Sequence, residues 1–221
     1  ISGSFGSREL GEFMSSTSIQ AKMFKAVAAD TNSIATSQTT AGAADLTLTS
    51  ASVNDGSNMA STVTIKSLTG NNSSITFTVS GTDVNGDSGV ELNITGPGTG
   101  ATVTSTVAFL TVTAVRANAA VPGNVEVGFT ATTSTQGIVF EGATRVRGMH
   151  GVSNASTAGA MIIRNESQAG EKRLELDAPA AAGMLDPYIP DEGIRYPNGA
   201  FIDISAGFDS ITVFFDGNYN S

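Results

Sequence analysis

Apolar and polar residues alternate over residues 74–113 with a period of two. Ile75, Phe77 and Val79 fall on one face of an extended segment, and Thr76, Thr78 and Ser80 on the other. That period puts one face in a core and the other in water. The alternation breaks at Asp83-Val84-Asn85-Gly86-Asp87 and again at Gly96-Pro97-Gly98. Asn-Gly between two alternating runs predicts a hairpin. Carried along the chain, the same reading predicts strands at 26–28, 45–53, 61–68, 74–83, 90–96, 103–116 and 125–130. Short strands with turns about every ten residues predict an immunoglobulin-like β-sandwich over residues 25–132.

A polar stretch, Thr132-Thr133-Ser134-Thr135-Gln136-Gly137, reads as a linker. Beyond it, strands are predicted at 138–140, 144–154, 159–165, 172–177, 184–189, 201–205 and 210–215, with turns at Asn165-Glu166-Ser167 and Pro197-Asn198-Gly199. They make residues 137–221 a second β-sandwich or jelly-roll-like unit. Pro187 and Pro190 confine any strand between them to a short or edge position. Residues 1–24 open with glycine and serine and then place Leu10, Phe13, Met14, Ile19, Met23 and Phe24 irregularly. They are expected to form an extended N-terminal arm, either a flexible one or one that lays its apolar residues on a neighbouring subunit, and residues 18–24 are compatible with a helical turn or two. Met14 is a candidate start, which would make residues 1–13 an upstream extension. The fold class is therefore all-β: two small sandwiches in tandem behind an arm.

Composition agrees with strands. Charged residues are only 14% of the 221, and tryptophan is absent. A net charge of −9, with 11 Lys and Arg scattered along the chain, argues against a nucleic-acid partner, because phosphate neutralisation needs clustered cations. The absence of cysteine removes disulfides, thiol nucleophiles and thiolate metal sites. No apolar run is long enough for a membrane-spanning helix, and the first residues lack a basic-then-apolar leader pattern.

Candidate chemistry is sparse. His150 is the sole histidine, on a predicted strand, with no second histidine and no Ser–acid partner nearby in sequence. Asp83, Asn85 and Asp87 open like a calcium loop, but its sixth and twelfth positions are Ser88 and Ile94 rather than Gly and Glu, so a hairpin turn is the better reading. Gly96-Pro97-Gly98-Thr99-Gly100 has no following Lys or helix pattern to cradle a phosphate. Asp186, Asp191, Glu192, Asp203, Asp209 and Asp216 supply carboxylates for glycoside hydrolysis, yet aromatic platforms are few: Tyr188, Tyr196 and Phe208. Arg145, Arg147, Arg164, Arg173 and Arg195 are expected to pair with acids across strands or subunits. No residue is assigned as catalytic, cofactor-binding or metal-binding.

Two stretches carry a resemblance. Thr76-Phe77-Thr78-Val79-Ser80-Gly81-Thr82-Asp83, Ile94-Thr95-Gly96-Pro97 and Val103-Thr104-Ser105-Thr106 resemble a segment common in structural proteins of tailed bacteriophages, departing from it at Val90-Glu91-Leu92-Asn93. Gly148-Met149-His150-Gly151-Val152, Thr157-Ala158-Gly159, residues 189–196, 198–205 and 211–215 resemble small phage virion proteins. The resemblance covers about half the chain and rests on turn and strand signatures. It implies a non-enzymatic virion structural protein without fixing its place on the particle, and the reading taken from it is a decoration or cement protein on the outer surface of the capsid. Its partners would be the major capsid protein and further copies of itself, as a homo-oligomer, with a trimer expected from lattice symmetry. No cofactor is implied. The competing readings are a tail, collar or fibre component, a carbohydrate-binding or adhesin module, and a depolymerising hydrolase using Asp191 or Asp203.

Overall fold

The computed structural model describes residues 19–50, 58–132 and 135–217, and these are all-β. Strands β1 (Ile19–Lys25), β2 (Asp30–Gln38) and the short β3 (Ala44–Asp45) come first. They are followed by β4 (Ser61–Ser67), β5 (Thr76–Asp83), β6 (Ser88–Thr95), β7 (Thr102–Ala117) and β8 (Val125–Phe129). Then come β9 (Thr135–Glu141), β10 (Thr144–Ser153), β11 (Gly159–Asn165), β12 (Lys172–Ala178), β13 (Gly183–Leu185), β14 (Ile194–Tyr196), β15 (Gly199–Ile204) and β16 (Phe208–Asp216).

The first unit is one continuous antiparallel sheet in the order β2-β8-β4-β7-β5-β6, with β3 also on β7. Strand β7 is what folds it over. Its first half pairs with β4 as far as Phe109, and from Phe109 onward it pairs with β5. The two halves enclose a core of Val63 and Ile65, Phe77 and Val79, Phe109, Val112 and Val115, and Val127 and Phe129. Burying each such side chain contributes about 1.5–3 kcal/mol. The immunoglobulin-like expectation has two separate sheets; here the ladder runs unbroken through β7. Where β7 carries extra residues opposite β4, the Ser105 hydroxyl closes the gap. It accepts from Val63 N (2.9 Å) and donates to Val107 O (2.7 Å).

The second unit is two facing layers. One runs β1-β16-β10, with β13 and β14 end to end along the far edge of β10; the other runs β12-β11-β15-β9. The connections β9–β10, β10–β11, β12–β13, β14–β15 and β15–β16 each pass from one layer to the other, as in a jelly roll. Phe24, Val146, Met149, Met161, Ile163 and Ile202 lie in the shared core.

Several expectations change. Residues 19–24 are neither a free arm nor a helical turn: they pair with β16 from Ile19↔Asp216 to Lys25↔Ser210. The second unit thus takes its edge strand from before the first unit, so the succession of the two units is broken at β1. Residues 1–18 lie outside the described residues, as do 51–53 of the strand expected at 45–53, which is reduced to β3. Residues 26–28 connect rather than pair, and β2 and β14 are strands that alternation did not indicate. Pro187 ends β13 early.

Both described ends of the polar stretch at 132–137 are held in the fold. Thr132 is 1% exposed, and residues 135–137 already belong to β9. Three segments meet at the junction between the units, at Val27, at Met59-Ala60 and from Thr132 to β9, and the first two each bond to the third. Thr132 Oγ1 accepts from Val27 N (2.8 Å), Thr132 N donates to Val27 O (3.0 Å), and Ala60 N donates to Gln136 O (2.6 Å). Met59, from the first unit's stretch, is buried in the second core.

Gly81 marks how closely β5 and β7 approach, since a Cβ there would lie 2.0 Å from Thr111 O. Gly81→Ala is expected to cost about 1–3 kcal/mol of unfolding free energy, read by urea denaturation with Ser80→Ala as the control.

Candidate functional site

The face of β1, β16, β10 and β13 turned away from the second core is the most distinctive surface. Alternation sends Phe24, Ile211, Val213 and Met149 inward and leaves their neighbours outside. Register aligns these neighbours in rows: Ala21, Phe214 and Gly148; then Met23, Thr212 and His150; then Lys25, Ser210, Val152 and Met184. Ile19, Met23, Met184 and Phe214 are large apolar side chains left exposed, Met184 at 74%.

His150 stands in the middle row. The acid partner that sequence proximity did not offer comes from β13: Gly151↔Leu185 pairing brings Asp186 alongside, and Asp186 Oδ1 lies 2.7 Å from His150 Nδ1. The pair is open to solvent at 38% and 66% of its side chains.

Beside this face, β10 bulges. Arg147 is the extra residue between Val146↔Phe215 and Gly148↔Phe214. A bulge re-aims its side chain, and Arg147 Nε lies 2.7 Å from Asp216 Oδ2, whose side chain is 2% exposed. Arg147 also donates to Asp191 O. The neighbouring Arg145 reaches Glu192 at 3.6 Å. On the other layer, Arg164 lies 4.0 Å from Asp203, and Arg173 lies 2.7 Å from Glu171. Four of the five arginines of the set, Arg145, Arg147, Arg164 and Arg173, therefore pair with acids within one chain.

The remaining candidates are occupied in the same structural way. Asp83 Oδ1 accepts from Asn85 N (2.8 Å) and Asp87 N (3.1 Å), closing the β5–β6 turn, and Gly86 supplies the positive φ of 83° that this turn needs. Asn85 Oδ1 accepts in turn from Gln168 N of the second unit at 3.4 Å. Among the described residues no three His, Asp or Glu groups are placed to hold a metal ion. The amides of Gly96 and Gly100 donate to Ile75 O and Ser67 O. Asp191 lies in the loop before β14, and Asp203 on β15 of the opposite layer. Of the three aromatic platforms, Tyr196 and Phe208 are core residues at 0% and 3% exposure, and Tyr188 is 85% exposed. At the junction, a cavity of about 10 Å³ lined by Phe24, Ala26, Met59, Thr132, Ile204 and Phe208 has room for about one water.

Burial raises the Tyr196 hydroxyl pKa well above its ordinary value, against a smaller opposing effect of Arg173. Its oxygen has no hydrogen-bond partner among the described residues. Lys22 is shifted down by burial, partly offset by Glu141, and its Nζ donates to Ile138 O at 2.7 Å across the sandwich.

Comparison with protein-family models, with curated proteins and with solved structures finds no match to this chain.

Two substitutions separate what these groups do. Arg147→Met strands the Asp216 carboxylate in the protein and is expected to cost about 3 kcal/mol in urea denaturation, whereas Arg145→Met should cost under about 1 kcal/mol. Tyr196→Phe removes a buried hydroxyl with nothing to bond, so its melting temperature should equal or exceed that of the wild type.

Proposed function

We propose that this chain is a structural protein of a tailed-phage virion, decorating the outer surface of the capsid as a cement protein. One observation carries the reading: the outer face of β1, β16, β10 and β13 leaves the large apolar side chains Ile19, Met23, Met184 and Phe214 exposed together, the chemistry of contact rather than of turnover. The hydrogen bonds at the junction add to it, since Val27 and Ala60 are both tied to the chain entering β9. The phage-like motifs also fall on positions that shape the backbone. These include Gly81 against Thr111 O, Gly96 against Asn72 O, and Gly193 at a φ of 68°. The partners in this reading are the major capsid protein and further copies of the chain.

A glycan-binding module is the second reading, favoured by Tyr188 standing out between Pro187 and Pro190. It requires that Tyr188→Ala abolish binding to whichever glycan the wild type retains.

The deciding measurement is the copy number per purified particle, by quantitative mass spectrometry against the major capsid protein. A count equal to the shell protein, or a simple fraction of it, is expected. A few to a few dozen copies would move the protein to the tail, collar or fibre, and absence from particles would end the virion reading.

A further inference from the structure

We infer that the free edge of β6 is a strand-addition site, and that its occupant is an extended, cation-bearing segment of a partner protein. The site lies on the first unit, away from the exposed face of the second, and does not depend on the virion reading.

The edges of the sheets select the place. An edge strand offers unpaired main-chain groups to any passing strand, and folded chains blunt such edges with charge, bulges, short length or a cover. The other edges here are blunted in these ways. Strand β1 turns Lys22 inward, its Nζ donating to Ile138 O, and Asn58 Nδ2 donates to Met23 O (2.8 Å). Strands β3, β13 and β14 are two or three residues long. On β9, Gln136 O and Ile138 O accept from Ala60 N and Lys22 Nζ. Strand β12 sets Lys172, Arg173, Glu175 and Asp177 along its length. On β2, Ile34 O accepts from Thr49 N (2.8 Å), and the first half of β7 bulges beside Thr62 and Thr64.

Strand β6 is the least protected. It is eight residues long and contains no Lys, Arg or Pro. Its register with β5 is unbroken from Gly81↔Val90 to Thr76↔Thr95. Among the described residues no strand pairs with its other side. The hairpin is also held at its tip, where Asn85 Oδ1 accepts from Gln168 N and Gly86 packs against Ile138 and Glu141. An edge fixed in this way already has the geometry that a new strand needs, so little of the ordering cost falls on this side of the contact.

Charge selects the occupant. Residues 67–115 contain no Lys or Arg, and their acids, Asp83, Asp87 and Glu91, all lie on the β5–β6 hairpin. Two copies meeting edge to edge would set these three acids against the same three, in a chain of net charge −9. A strand with Lys or Arg at alternate positions meets them favourably. Its intervening residues are apolar, because Ile94, 7% exposed, carries the first core out to β6 and side chains alternate across an added strand. Residues 1–18 do not supply such a strand: their one cation, Arg8, is followed by Glu9, and their apolar residues are irregularly spaced.

Amide hydrogen exchange of the full chain, read by NMR, tests the inference. The probe is a peptide of alternating Lys and Val, matched to β6 in length and added at millimolar concentration. Every second amide between Ser88 and Thr95 should then exchange at least about tenfold more slowly. The same peptide with Glu in place of Lys, and the Lys peptide N-methylated at every residue, should give no protection. Asp87→Asn combined with Glu91→Gln should weaken binding of the Lys peptide at least about threefold, whereas Asp177→Asn on β12 should leave it unchanged. Chemical shifts away from the hairpin verify that each variant is folded. Protection that is absent, centred on another edge strand, or equal for the N-methylated peptide overturns the inference. An unchanged affinity in the folded double variant overturns the cationic occupant. Protection of the same amides that grows with protein concentration alone overturns it as well, and gives the edge to a second copy.

Discussion

The second sandwich depends on one ladder, the antiparallel pairing of β1 with β16 from Ile19↔Asp216 to Lys25↔Ser210. It delivers Phe24 to the core and supplies the outermost strand of the exposed face. Bringing the ends of so long a flexible loop together would cost on the order of 5 kcal/mol in chain entropy. The first unit removes most of that cost by folding, because residues 27 and 132 are already hydrogen-bonded to each other at its base. The two units are therefore not independent modules joined by a tether. One is the closure of the other, and Met59, crossing from the first to the core of the second, fixes the same relation in side-chain packing.

How much of this was legible in the residues follows from how cleanly each strand divides its faces. Strands β4, β5 and β7 were readable because valine, isoleucine and phenylalanine recur against threonine and serine, and β8 because Val125, Val127 and Phe129 alternate with Glu126 and Gly128. Strand β1 was not readable, because its polarity is inverted. Lys22 points across the sandwich to Ile138 O while Ile19 and Met23 point to water, so neither face reads as apolar. Strand β2 was hidden by irregular pairing: its register with β8 shifts twice, and Ile34 and Ala35, adjacent in sequence, are both buried. No alternation survives that geometry.

The surface was less legible than the fold. Met23, Met184 and Phe214 each look like core residues in isolation, and only cross-strand register shows that they share an outer face. His150 and Asp186 lie far apart along the chain, and nothing in their flanking residues announces the pairing that β13 creates. Turn chemistry was the reverse case. Asp83, Asn85 and Gly86 specify their turn through bonds made within a few residues, so local sequence is enough.

The placement of β1 also sets an order of events during synthesis. A ribosome adding about 5–20 residues per second would complete β16 about 10–40 s after β1 has been made. Throughout that interval Phe24 has no core to enter, while β2 to β8 already have every partner they need on the emerging chain. The first unit is then a finished body waiting beside an unpaired strand, and any other chain with a free edge could claim that strand before β16 arrives. Crowded translation of this message would favour exchange of β1 between neighbouring copies, giving intertwined products from the same contacts that close a single molecule.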